Sequence, residues 1–549
     1  MTNTPTNYDV VIRGGTLYDG SGDAPGESDV AIIGDSIASI EPASEARGAL
    51  EIDATGLAVA PGFINMLSWA AESLIADGRS QSDIRQGVTL ELFGEGFSLG
   101  PLNAEMKKIV RERQSDIQYD VSWTTLNEGL QHLVDRGVSC NVASLVGAAT
   151  LRVHEIGYED RPPTPDELNR MRALMRQAMQ DGALGVGSSL IYSPACYAQT
   201  DELIALAEVA GEYGGMYVSH IRNEGHRLLE AIDELVEISR RSGAPAEIWH
   251  FKASGPANWS RLEAAVARVE AAQAEGVRVT ADMYTYNASS TGLDAIMPGW
   301  VQEGGHRAWV ERLKDPATRA RLKHELTVAG DRGENEFLGA EKILLVGFRN
   351  PELRRLTGKT LAEVAQMRSA SVEDTIMDLV VEDDSRVQSV FFTMSEENVR
   401  KAIALPWMSF CSDSGSLAPE GIFLNTSTHP RAYGSFARLL ARYVREEHVI
   451  PMEEAIRRLT SFPADNLGLD RRGRLRVGCY ADVVVFDPRT IQDTATFDQP
   501  HQYATGVEQV FVNGQQVIRD GEHTGALPGR VVRGRGYQRR ASRSATMGE

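Results

Sequence analysis

Met216–His220 (MYVSH) and residues 247–250 (EIWH) are two short hydrophobic runs, each closed by a histidine. A helical stretch links the first to Ser242-Gly243. A second helical stretch follows His250, and residues 277–282 (VRVTAD) come next. The order is β-α-β-α-β, with an ionisable side chain at the carboxyl end of every strand. In a (β/α)8 barrel those ends converge on one mouth, where catalytic groups gather. The rhythm predicts an α/β chain built on a (β/α)8 TIM-like barrel, and it points to a metal-dependent enzyme.

The alternation extends both ways. Thr164-Pro165-Asp166-Glu167 supplies an N-cap, a proline at the first helical position and a glutamate three residues on. Leu168, Met171, Met175, Ala178 and Met179 follow at helical spacing. Asp181-Gly182 stops that helix, and residues 185–192 (GVGSSLIY) read as a strand. Thr200-Asp201-Glu202 opens another helix, which Gly214-Gly215 ends. Upstream, residues 89–93 (TLELF) run into Gly94-Glu95-Gly96; downstream, residues 407–412 (WMSFCS) end at Asp413.

Both ends of the chain read as β. Residues 29–33 and 36–40 flank Gly34-Asp35 as a hairpin, and residues 481–487 (ADVVVFD) and 507–512 (VEQVFV) share that texture. We expect a small β-sandwich domain from residues 1–61 and 470–535, and a catalytic barrel over 62–469. An insertion near 288–350, helical at 309–326, should lie over the mouth, and 536–549 should form a basic tail.

Composition narrows the partners. A length of 549 residues exceeds one ordinary core. A net charge of −20 excludes a protein that grips a phosphate backbone, so no nucleic acid is expected. No apolar run reaches the roughly 18–20 residues that cross a bilayer, so no membrane is expected either. Neither a basic leader nor an apolar leader core is visible. Cys140, Cys196, Cys411 and Cys479 form no C-x-x-C pair, which fits a reduced, cytoplasmic protein. The basic cluster Arg530, Arg533, Arg535, Arg539, Arg540 and Arg543 reads as a solvated tail or a contact for an acidic partner. The chain is expected as a monomer or a homo-oligomer.

Hydrolytic zinc sites favour two imidazoles and a carboxylate, with one position left for water. His220 and His250 supply the imidazoles from consecutive strand ends. Glu95 supplies the carboxylate from a tight turn, with Glu91 the competitor inside the run. Asp413 is placed to take a proton from water and return it to a leaving amine; its bland alternative is a cap on the following loop. Asp282 also ends a strand, and Tyr284 and Tyr286 after it are read as pocket lining or core.

These residues resemble the N-acyl-D-amino-acid deacylase (D-aminoacylase) family of the amidohydrolase superfamily. The likeness runs from residues 9–20 and Ala60-Pro61-Gly62-Phe63-Ile64 to residues 473–488 and Gly529-Arg530-Val531. It includes Gly182-Ala183-Leu184-Gly185, Ser219-His220-Ile221-Arg222-Asn223-Glu224, His250-Phe251-Lys252, Ser412-Asp413 and His429-Pro430-Arg431. The resemblance implies a metal-dependent hydrolase that cleaves N-acyl amino acids, the D series above all, to a carboxylate and a free amino acid. It implies His220 and His250 as ligands of the tighter metal, Asp413 as the catalytic aspartate and Arg431 as the holder of the substrate's α-carboxylate. Lys252, Tyr284, Tyr286 and Tyr192 fall where the family lines its pocket.

Three departures stand out. The family's His-x-His after Pro-Gly-Phe-Ile-Asp is Leu67 and Trp69 here, its metal-ligating cysteine is Glu95, and a histidine after Leu145-Val146-Gly147 is Ala148. One Zn2+ per chain, on Glu95, His220 and His250, is therefore expected, with Leu67 and Trp69 adding apolar surface to the mouth. The competing readings are a hydrolase of another small amide or dipeptide, and a non-catalytic binding protein on a former hydrolase scaffold.

Overall fold

The computed structural model describes residues 7–327 and 339–538. Strands and helices alternate from Phe63–Asn65 to Met408–Phe410. Val146–Gly147, Gly185–Ser189, Met216–His220, Ala246–Ile248, Val279–Met283 and Met408–Phe410 form one parallel six-stranded sheet. Phe63–Asn65, Val88–Phe93 and Asn141–Ser144 form a parallel sheet of three. Parallel neighbours need a crossover, and helices covering the faces leave the strands buried on both sides. Accordingly every residue of Val88–Phe93, Gly185–Ser189 and Met216–His220 is buried.

Local signals act where the sequence places them. Thr164 caps Pro165–Asp181 in a capping box with Glu167, and Gly182 ends the helix at φ 110°. Met171, Met175, Ala178 and Met179 are its buried face. Strand ends differ from expectation. Residues 185–192 pair only as far as Ser189, because Tyr192 N turns back onto Ser189 O. The strand leading to His250 stops at Ile248, and His250 itself takes a left-handed φ of 39°.

Both chain ends contribute to one sheet. Val483–Phe486 pairs antiparallel with Ala58–Pro61, and hydrogen bonding runs through nine strands drawn from both ends of the chain. Period-two alternation divides its side chains. Val10, Ile12, Val483 and Val485 close a core of their own, whereas Val484, Phe486, Val510 and Val512 join the large central core.

The irregular region reaches further than residue 350. Gln388–Phe391 is the middle strand of an antiparallel sheet between Ser289–Gly292 and Ile343–Gly347. A separate core of Leu293, Trp309, Leu345, Ile376, Val380 and Phe391 holds it together. The helical stretch at 309–326 belongs to two helices, His306–Lys314 and Pro316–Thr327, since Pro316 cannot continue the first. Of the C-terminal arginines, Arg530 pairs with Asp35 at 2.7 Å and Arg535 with Asp470 at 3.2 Å. Both pairs are exposed at the surface, and Arg539, Arg540 and Arg543 lie outside the described residues. Among the described residues no helix is long and apolar enough to cross a membrane.

Glu247 sits fully buried between the sheet strands. It accepts from Thr280 Oγ1 at 2.7 Å and Asn466 Nδ2 at 3.2 Å. Burial, reinforced by the nearby Asp282 charge, pushes its carboxyl from 4.5 up to about 8. The folded chain thus keeps a proton that the unfolded chain releases, and stability falls as pH rises through that window. Thermal midpoints measured from pH 4.5 to 8 should show this decline in the wild type and a flatter profile in Glu247→Gln.

Candidate active site

Glu95 stands on the tight turn that its glycine neighbours predict. Gly94 has φ 112° and Gly96 φ 70°. A Cβ at Gly94 would lie 2.4 Å from Leu145 O, and one at Gly96 would lie 2.0 Å from Ser189 Oγ. Only glycine tolerates both the backbone and the crowding. The turn holds Glu95 Oε1 3.0 Å from His220 Nδ1 and 3.3 Å from His250 Nε2. All three residues are buried, and their ligand atoms lie within 4.8 Å of one another. Tetrahedral bonds of about 2.0–2.1 Å set neighbouring ligand atoms about 3.3 Å apart. The cluster therefore fits a divalent cation. Glu91 does not compete: its buried carboxylate accepts from Ser68 Oγ at 3.2 Å, away from the imidazoles.

Electrostatics favours an ionised Glu95. Burial would raise its carboxyl, but the two imidazole hydrogen bonds overcome burial and hold it well below the usual carboxylate range. Glu224 behaves alike. Burial opposes its charge, and Lys252 with the two imidazoles more than compensates.

Glu224 stands within the motif Ser219–Glu224, and nothing in the local sequence assigns it a role. In the structure Glu224 Oε1 lies 2.9 Å from His250 Nδ1 and 2.5 Å from Lys252 Nζ. Lys252 Nζ also lies 2.8 Å from His250 Nδ1, so Glu224 and Lys252 together hold the ring by the nitrogen opposite the one that faces Glu95. Below the ring, Asp282 Oδ1 accepts from His250 N at 2.6 Å, which anchors the backbone of a residue in the left-handed region. The only local sequence signal for Glu224 is its spacing of four from His220.

Asp413 also has a left-handed backbone, φ 48°. Its Oδ1 accepts from Trp69 Nε1 at 3.1 Å, and its Oδ2 lies 2.7 Å from Arg431 Nη1. That arginine is buried and spans Tyr284, whose ring centroid is 4.5 Å away. Its Nη2 donates to Ser290 O, while Nε and Nη1 have no aligned hydrogen-bond acceptor. The Asp413 contact is thus an ion pair that leaves donors free for another anion.

Glu95, His220, His250, Lys252, Tyr192, Tyr284, Asp413 and Arg431 all line one cavity of about 650 Å³. Tyr192 lays its ring edge against His220, with centroids 5.3 Å apart, and meets Thr291 through its hydroxyl. Tyr286 is a correction. It is outside that lining, because its hydroxyl donates to Asp493 Oδ2 at 3.1 Å and its ring packs on His429 and Phe497. Leu67 and Ala148 are corrections too. Both are buried in the main core, so of the replaced histidine positions only Trp69 faces the cavity.

Cation retention should depend on Glu224. In a dye-competition titration, Glu224→Gln is expected to weaken divalent-cation affinity by about 10–100-fold, with the secondary structure unchanged by circular dichroism.

The comparisons agree with this geometry. The Amidohydrolase family model matches residues 139–518. D-aminoacylase of Alcaligenes xylosoxydans xylosoxydans is 31% identical over 530 residues, covering 96% of this chain and 97% of that protein. N-acyl-D-glutamate deacylase of the same organism is 32% identical over 526 residues, covering 96% of each. The crystal structure of N-acyl-D-glutamate deacylase from Bordetella bronchiseptica holds zinc and a phosphonate that mimics the tetrahedral intermediate. It superposes with a TM-score of 0.78 at 29% identity, covering 96% of this chain and 100% of that one. A likeness of this length, joined to a buried carboxylate–imidazole cluster at the strand ends, places the chain in the amidohydrolase family, among the D-aminoacylase-like deacylases.

Proposed function

We propose that the protein is a single-cation amide hydrolase. It cleaves N-acyl amino acids, the D series above all, to a carboxylate and the free amino acid, with zinc as the cation. The observation that carries this reading is that Glu95, His220 and His250 share one cavity with Asp413 and Arg431. The zinc-bound relative supports the choice of metal. We also read the nine parallel segments as one closed eight-stranded barrel spanning residues 62–469, with Asn141–Ser144 and Val146–Gly147 as two pieces of one strand interrupted at Leu145. The bond from Met66 N to Phe410 O and the parallel bridge of Ser68 with Ser414, which join the first and last strands, support that closure.

Glu95, His220 and His250 would hold the cation, which when bound acidifies water and polarises the scissile carbonyl. Asp413 takes the proton from the attacking water and delivers it to the leaving nitrogen. Arg431 receives the substrate's α-carboxylate on its unengaged donors, and binding there is converted into alignment at the reacting carbon. Lys252 keeps Glu224 ionised against His250, and Tyr284 and Tyr192 form walls. Trp69, Phe97, Ile191, Leu417, Ile422 and Phe423 give the cavity apolar surface suited to an acyl group. A small dipeptide is the second reading, motivated by Trp69 in place of a histidine in that wall.

Asp413→Asn should retain cation content near wild type and lose about 10²–10⁴-fold in kcat. Atomic absorption and single-substrate kinetics together check it, and wild-type turnover would remove Asp413 from the reaction. Arg431→Met should raise KM strongly for substrates with a free α-carboxylate and leave their amidated analogues unaffected. Across a panel of N-acyl-D-amino acids, their L forms and dipeptides, activity confined to dipeptides would end the deacylase reading.

A further inference from the structure

Trp69 is 46% exposed, a large aromatic facing the cavity, yet its single polar atom is committed. Nε1 donates to Asp413 Oδ1 at 3.1 Å. The two residues are also tied through their backbones. Asp413 N donates to Leu67 O and Trp69 N to Ser414 O, each at 2.9 Å, and Ser68 bridges Ser414 in parallel register. These ties fix the two backbones side by side at the junction of the first and last parallel strands, within reach of the indole–carboxylate hydrogen bond. The other oxygen, Oδ2, faces Arg431 through a close contact that lacks hydrogen-bond alignment. One carboxylate oxygen is held by a neutral donor on a rigid segment, and the other by a guanidinium with donors to spare.

We propose that Trp69 is a positioning residue: its indole N–H pins Oδ1 of Asp413 so that Oδ2 is the oxygen that exchanges protons. The inference rests on Asp413 as the proton carrier. A substrate carboxylate that draws Arg431 away frees Oδ2 to accept a proton, while Trp69 keeps the carboxylate from rotating. The proton then leaves Oδ2 for the departing amine, and the carboxylate is regenerated with no net change. A histidine in this position would offer a metal ligand; the indole offers a donor that binds no metal. The replacement thus changes how the acid is held in place.

Trp69→Phe keeps the ring and deletes the donor. Loss of one hydrogen bond to a charged acceptor predicts about a tenfold fall in kcat, with KM changed less than about threefold and with cation content and thermal midpoint near wild type. In the Asp413→Asn background the same substitution should cost nothing further, because both changes act through one carboxylate. Three results overturn the proposal. They are an unchanged kcat in Trp69→Phe, a change in KM alone, or the same tenfold loss with and without Asp413. Asp413→Asn at wild-type turnover would instead overturn the proton-carrier reading and this inference with it. Should Trp69→Phe fold poorly, indole ¹⁵N–¹H spectra of the otherwise native chain decide. One of the seven tryptophan signals must shift in Asp413→Asn, and the absence of any shift refutes the contact.

Discussion

A carboxylate shared by two imidazoles in a closed interior sets the terms for the rest of the molecule. Glu95 and Glu224 are both buried, and one ammonium, Lys252, stands among them. Isolated charges in such a setting cost several kcal/mol each. The cluster is tolerable because Glu95 Oε1 meets both imidazoles and Glu224 Oε1 meets Lys252 and His250, and because the imidazoles answer Glu95 with protons or share a cation with it. That demand explains why the ligands stand on strand ends and a glycine-framed turn. Rigid backbone keeps three donor atoms together against their own repulsion and desolvation.

Two site residues, His250 and Asp413, adopt left-handed backbone at non-glycine positions. Such conformations cost on the order of 1 kcal/mol or more each and persist where surrounding bonds over-determine them. Here Asp282 fastens the amide of His250 and Leu67 fastens the amide of Asp413. Both side chains line the cavity. Leu67 holds Asp413 from within the core through its carbonyl, which its apolar side chain would not suggest.

Much of the site was legible in the sequence. His220 and His250 declared themselves by closing consecutive hydrophobic runs, and Gly94 and Gly96 marked Glu95 because flanking glycines signal a turn with no room for side chains. Asp413 and Arg431 came from strand-end position and from family resemblance, and the structure sets them 2.7 Å apart. What escaped was every partner chosen across the fold. Glu224 is one acid within a longer motif until Lys252 and His250 close around it. Tyr286 reads like Tyr284, yet two residues along the chain the side chain meets Asp493 on a different wall. The β-α rhythm was clear, while strand ends ran one to three residues long because hydrogen bonding stops before hydrophobicity does.

The chain by itself determined the alternation of parallel strands and helices, the pairing of both termini in β structure, and a carboxylate and two imidazoles at strand ends. Those follow from local periodicity, turn chemistry and residue type, all of which act over a few neighbouring positions. Tertiary structure alone decided that Trp69 grips Asp413, that Leu67 and Ala148 vanish into the core, and that the antiparallel layer extends to Phe391. These depend on contacts between segments hundreds of residues apart, and no local pattern encodes which distant atom will complete a hydrogen bond.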